Sequence, residues 1–248
     1  MSATPLRIAM WSGPRNISSA MMRSFGARAD TAVIDEPFYA AYLALSGSDH
    51  PMRSEVLASQ ANDWREVVAM LLGPVPGGKA IWYQKLMTHH MLPQVGRDWM
   101  HSVHNAFLIR DPRFVLGSYM RIRERSTVTL ADIGIVQQRE LFEREADRLG
   151  AAPPVIEGAD VLADPPRMLA RLCAVLSIPF TDAMLRWSAG RRATDGVWAP
   201  AWYSAVESST GFASAPTAAM AAPDLPGELA RIAEQAHQHY AALVAHKL

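Results

Sequence analysis

The chain has 248 residues, half of them hydrophobic and 19% charged, with 24 basic side chains balanced by 24 acidic ones. Such a length buries roughly 70–75% of the unfolded surface, and this composition excludes a disordered or disulfide-scaffold protein. A net charge of zero gives no reason to expect a nucleic-acid surface, yet a few arginines at one cleft can still hold an anion.

The single cysteine, Cys173, sits in the apolar helical stretch MLARLCAVL and reads as core packing. No apolar run reaches the roughly 18 residues of a spanning helix, and Arg7 and then Ser12 to Arg15 interrupt the first apolar stretch. The expectation is a cytoplasmic protein with no membrane partner.

Residues 6–11 form an apolar run ended by Ser-Gly-Pro, which predicts a buried first strand, a tight loop and a helix over 18–28. TAVID (31–35) predicts a second buried strand stopped by Glu36-Pro37, and 66–72 a helix opened by Asn62 and Asp63. KAIWYQK (79–85) and NAFLIR (105–110) predict two further strands. Asp111-Pro112 opens a helix through Tyr119, because Asp accepts N–H bonds at the N-cap and Pro suits the first helical position. One long amphipathic helix is expected over 131–149, a short strand at 155–157, a helix over 166–176 and a terminal helix over 228–247. Residues 191–226 carry Gly, Pro and four aromatics without a period, and read as a functional loop or a loose connection. Strands alternating with helices predict one α/β domain over 1–248, with a mainly parallel sheet flanked by helices.

Chemistry concentrates in two segments. In SGPRNISSA (12–20) the first N–H groups of the following helix lack intrahelical acceptors, so the turn is a natural anion cradle. Arg15 adds charge, and Ser18 and Ser19 add hydroxyls; the same pattern also suits a plain capped turn. The loop lacks the Gly-Lys pair of the ATP and GTP phosphate loop. In FLIRDPRFVLGSYMR, Arg110 at a strand's carboxyl end and Ser118 eight residues on can converge on one anion at the edge where α/β sheets gather ligands. A capping turn with incidental Arg and Ser is the plainer alternative.

Together these segments resemble the sulfotransferase family, whose fold is that of the P-loop nucleoside triphosphate hydrolases. The resemblance implies that Arg15, Asn16, Ile17, Ser18 and Ser19 hold the phosphosulfate of 3′-phosphoadenosine 5′-phosphosulfate, and that Arg110 and Ser118 hold its 3′-phosphate. Asn16 stands where the family usually has Ser or Gly. Residues 155–180 look like the family's strand, Asp-Pro and helix segment, and 195–212 like its late loop over the nucleotide. The closest likeness is to a bacterial sulfotransferase-like group carrying WSGPRN-[IV]-S and IDEPFY.

The resemblance also places a catalytic glutamate at Glu36, and a carboxylate there can take a proton from an acceptor hydroxyl. Lys85, with Arg15, is the candidate cation for the leaving oxygen. His89 and His90 are alternative bases, whereas His237, His239 and His246 fit no metal pattern. Trp198, Trp202 and Tyr203 can stack on adenine, wall the acceptor pocket or plug the loop, and Arg191 and Arg192 are further candidates for the 3′-phosphate. The acceptor class expected is a small molecule or carbohydrate bearing a hydroxyl or amine, with no metal required. Two alternatives stand beside this reading: a magnesium-dependent phosphotransferase using Asp35 or Glu36, and a nucleotide-binding module without catalysis. Homo-oligomerisation is left open.

Overall fold

The computed structural model describes residues 4–122, 128–213 and 222–248. Five strands, β1 (Leu6–Ser12), β2 (Thr31–Asp35), β3 (Ile81–Met87), β4 (His104–Ile109) and β5 (Val155–Glu157), form one sheet in the order β2-β3-β1-β4-β5. Every pairing is parallel. The helices are α1 (Ser18–Gly26), α2 (Tyr39–Ser46), α3 (Arg53–Ser59), α4 (Trp64–Leu72), α5 (Pro112–Ile122) and α6 (Leu130–Ile133). They continue with α7 (Ile135–Leu149), α8 (Gly158–Ala163), α9 (Pro165–Val175), α10 (Ala199–Trp202), α11 (Ser204–Glu207) and α12 (Gly227–Val244).

Alternation along the strands explains the two covered faces. Ala9 and Trp11 of β1 join Trp82, Leu86, Phe107 and Ile109 under α7 and α12. Ile8 and Met10 join Ile81, Tyr83, Ala106 and Leu108 under α1 and α9. Cys173 is wholly buried in this second core. Each fully buried Leu, Ile or Phe contributes roughly 1.5–3 kcal/mol, so apolar residues of both parities are what a doubly covered parallel sheet requires.

Helix starts follow the local chemistry. The Asp63 side chain accepts from Arg65 N at 2.8 Å to cap α4, and Asp111 accepts from Arg113 N at 2.9 Å at the start of α5. Four expectations are corrected. The helix expected over 131–149 is broken at Gly134, whose φ of 64° lies in the left-handed region that glycine enters at little cost. The third strand runs to Met87, so Lys85 lies inside it rather than at its end. α2 and α3 occupy much of the stretch between Pro37 and Asn62, for which the sequence predicts no element, and the terminal helix ends at Val244. Within 191–226, α10 and α11 pack their side of the segment, with Trp198, Ala199 and Tyr203, against Tyr39, Tyr42 and Val56. Residues 214–221 of that segment lie outside the described residues.

Past α12 the chain returns to the sheet. Lys247 bridges Val155 in parallel, Leu248 N donates to Val155 O at 2.9 Å, and Lys247 Nζ pairs with Glu157 at 2.7 Å and Asp160 at 2.9 Å.

Candidate active site

The strand order reverses about β1, with β3 on one side and β4 on the other, so a crevice opens at their carboxyl ends. A cavity of about 400 Å³ lies there, lined by residues 14–20, Glu36, Lys85, Arg110, Ser118 and Trp198, with the two histidines 89 and 90. The two motifs that are 95 residues apart in sequence meet at its mouth.

The loop after β1 is bent by two non-glycine residues in positive-φ backbone, Arg15 at 57° and Ile17 at 29°. Ile17 is the N-cap of α1 and has no side-chain oxygen to offer, so no side chain caps the first turn. Its N–H groups are thus available to an anion carrying its own oxygens. Gly13 is needed for close approach, since a Cβ there would meet Ile133 O at 2.7 Å. The loop is tied from beneath: Asn16 Nδ2 donates to Leu108 O at 2.8 Å, and Gln138 Nε2 to Trp11 O at 3.2 Å and Leu108 O at 2.9 Å. Asn16 therefore braces the cradle through its side chain.

Arg110 reaches the same loop by donating to Arg15 O, while Arg15 Nε donates to Ser118 Oγ at 3.0 Å. Arg15, Arg110 and Ser118 are thus joined, and with Ser18 and Ser19 they line one end of the cavity. Arg191 and Arg192 are not among the cavity's lining residues. Arg191 is exposed, and Arg192 turns its guanidinium to Ser188 O and its amide to Asp195 at 2.7 Å.

The other end is a buried ionic cluster. Lys85, 1% exposed, donates from Nζ to Asp35 Oδ1 at 2.8 Å, Glu36 Oε1 at 2.5 Å and Tyr203 OH at 2.6 Å. Tyr203 OH in turn lies 2.8 Å from both Asp35 oxygens, and Gly196 N donates to Asp35 Oδ2 at 3.1 Å. Burial opposes the Lys85 charge, but Asp35 and Glu36 beside it hold the ammonium protonated well above the ordinary lysine range. Burial, reinforced by the Asp35 charge and opposed by Lys85, pushes Glu36 above the usual carboxylate range. Burial and Asp35 raise Tyr203 far above an ordinary phenol. Glu36 sits in positive-φ backbone at 41°, with its amide on Lys85 O at 3.0 Å, and its side chain keeps 12% exposure.

His89 and His90 line the cavity but are held neutral by burial: His89 is brought down to about 3 and His90 well below the ordinary imidazole. His90 is stacked on Tyr39 and Tyr42, with centroids 4.8 and 4.9 Å away. Trp198 also lines the cavity, yet it is 1% exposed, edge-on to Tyr39 at 5.0 Å and with its indole N–H 3.4 Å from Tyr203 OH. Its packing is that of a plug beneath the late segment. A buried ion pair, Arg23 to Asp195 at 2.6 Å, fastens that segment to α1.

Sequence reasoning did not single out Arg23, Asp195 or the pairing role of Asp35. Their partners lie 161–172 residues away, and no local pattern announces them. Among the described residues, no group of three His, Cys, Asp or Glu is placed to hold a metal, and no helix is long and apolar enough to cross a membrane.

A five-stranded parallel sheet flanked by helices, with a strand-to-helix loop at its switch point, is the architecture of a P-loop-like domain. The family described as a sulfotransferase domain matches residues 6–243, and the chain belongs to that family. Two Arabidopsis thaliana proteins, "Branched-chain-amino-acid aminotransferase-like protein 1" and "2", are 36% and 34% identical over 86% and 82% of this chain. The chain spans only 37% and 36% of their lengths. Among solved structures, the sulfotransferase domain of the curacin biosynthetic pathway aligns with a TM-score of 0.56 at 17% identity, covering 94% of this chain and 98% of that one. The sulfotransferase domain of the Synechococcus PCC 7002 olefin synthase aligns at 0.59 and 15%, covering 97% and 96%. A sulfotransferase from Alicyclobacillus acidocaldarius aligns at 0.55 and 15%, covering 100% and 98%.

Proposed function

We propose that the chain moves a sulfuryl group from 3′-phosphoadenosine 5′-phosphosulfate to a hydroxyl or amine of a small-molecule or carbohydrate acceptor. The observation that carries this reading is the junction of Arg15, Arg110 and Ser118 at one end of a cavity whose other end holds Glu36 and Lys85. Two cationic motifs, distant in sequence and adjacent in the fold, fit a nucleotide bearing anions at both its 3′ and 5′ positions.

The 5′-phosphosulfate would lie on the amides of residues 16–19 with Arg15, Ser18 and Ser19, and the 3′-phosphate on Arg110 and Ser118. Glu36, a carboxylate whose proton affinity is raised by burial, takes the acceptor's proton as its oxygen or nitrogen bonds to sulfur. The bond from sulfur to the bridging oxygen breaks, its electron pair stays on the phosphate, and Arg15 and Lys85 stabilise the charge that develops.

The phosphotransferase alternative is disfavoured because Lys85 already occupies Asp35 and Glu36, the carboxylates magnesium would need. The sulfuryl group's lower charge also removes the need for a metal clamp. The test is calorimetry. Adenosine 3′,5′-bisphosphate is expected to bind at least 10-fold tighter than 5′-AMP, without magnesium. Equal affinities would remove the 3′-phosphate site, and magnesium-dependent ATP binding would favour the phosphotransferase.

A further inference from the structure

An ammonium has three N–H donors, and those of Lys85 are all engaged, by Asp35, Glu36 and Tyr203. For Lys85 to reach the departing oxygen, one partner must let go. The three partners are not equivalent. Asp35 is 3% exposed, and both its oxygens are also held by the late segment, through Tyr203 OH and Gly196 N. Tyr203 lies with its ring centroid 5.0 Å from Lys85 Nζ and its hydroxyl between lysine and aspartate. Glu36 and Tyr203 both line the cavity, and Glu36 is the partner that keeps the most exposure, 12% of its side chain.

We propose that Asp35 and Tyr203 are positioning residues forming a fixed pivot for Lys85, which couples seating of the late segment over 196–206 to the ammonium's placement, while Glu36 is the exchangeable partner. The proposal rests on the reading of Glu36 and Lys85 as the reacting pair. As the acceptor's proton passes to Glu36, that carboxylate becomes a neutral acid and its hold on Lys85 weakens. One Lys85 N–H then turns to the oxygen that leaves sulfur, while Asp35 and Tyr203 keep the nitrogen in place. The acceptor gains a bond to sulfur, the phosphate oxygen keeps the electron pair of the broken bond, and the proton rests on Glu36. Nothing further is consumed.

The arrangement makes an asymmetric prediction for amide hydrogen exchange in the full chain. Tyr203→Phe keeps the ring and removes the hydroxyl, and it is expected to speed exchange over 196–206 by about 10-fold or more, the effect of a lost hydrogen bond to a charged group. Asp35→Asn is expected to do the same. Glu36→Gln is expected to leave this segment exchanging as in the wild type. Wild-type exchange in Tyr203→Phe, or equal acceleration in Glu36→Gln, overturns the proposal. A second readout is slow cleavage of 3′-phosphoadenosine 5′-phosphosulfate with water as acceptor: Tyr203→Phe should lower kcat about 10-fold with the donor KM unchanged, and an unchanged kcat overturns the positioning role. Should adenosine 3′,5′-bisphosphate fail to bind the wild type, the nucleotide reading falls on its own, and the exchange asymmetry still decides whether the pivot exists.

Discussion

The two ends of the cavity solve opposite problems. The cradle at Arg15, Arg110 and Ser118 is made from backbone and a few polar groups at the rim, each placed by its nearest strand and helix. The cluster of Asp35, Glu36, Lys85 and Tyr203 is buried and is assembled from three regions far apart in sequence. On the proposed reading the first end holds an anion with oriented donors, and the second moves a proton with a carboxylate whose affinity burial raises. The contrast predicts that damage to the first end shows in binding, and damage to the second in turnover and stability.

Glu36→Gln should break that division most sharply. Sulfate transfer is expected to fall by about 10²–10⁴-fold, the usual share of a general base, with adenosine 3′,5′-bisphosphate binding as in the wild type by calorimetry. Asp195→Ala is expected to cost about 3–5 kcal/mol in urea unfolding, because it strands the Arg23 guanidinium in a site where its side chain is only 4% exposed. Arg110→Ala should weaken adenosine 3′,5′-bisphosphate by roughly 10- to 100-fold while leaving 5′-AMP nearly unaffected, since a charge-assisted contact is worth about 1.5–3 kcal/mol. A similar loss for both nucleotides would place Arg110 elsewhere on the ligand.

The smallest effect concerns pH. His90 is buried and resists protonation in the fold, whereas the unfolded chain binds that proton near pH 6.5. Its contribution to stability is present above that pH and is lost as pH falls toward its depressed folded value. Between pH 6.5 and 5.5 the loss should be about 1 kcal/mol for this histidine, and His90→Phe should flatten the profile by that amount. Denaturant titrations at the two pH values would check it.

The same contrast governs what the sequence reveals. All five strands were legible as apolar runs bounded by turn residues, because burial on both faces leaves no polar alternation to confuse them. The convergence of Arg15, Arg110 and Ser118 was legible because Arg15 lies beside one helix start, and Arg110 beside another with Ser118 on the helix that follows. The helix break at Gly134 was not, since LADIGIVQQ continues the apolar spacing and the reason for the turn lies in the packing of Gly134 against Thr88 and His89, where a Cβ would meet Thr88 Oγ1 at 2.6 Å. Asp35 and Glu36 are adjacent and chemically alike, so sequence could favour one as base without seeing what occupies the other. That answer comes from Tyr203, 168 residues away, whose hydroxyl takes up Asp35 and leaves Glu36 toward the cavity.

The return of Lys247 and Leu248 to Val155 has a bearing on assembly. An open sheet normally offers two rows of unpaired amides and carbonyls as templates for a foreign strand. Here the β5 margin is met at Val155 by the chain's own Lys247 and Leu248, so a foreign strand adding there would have to displace them.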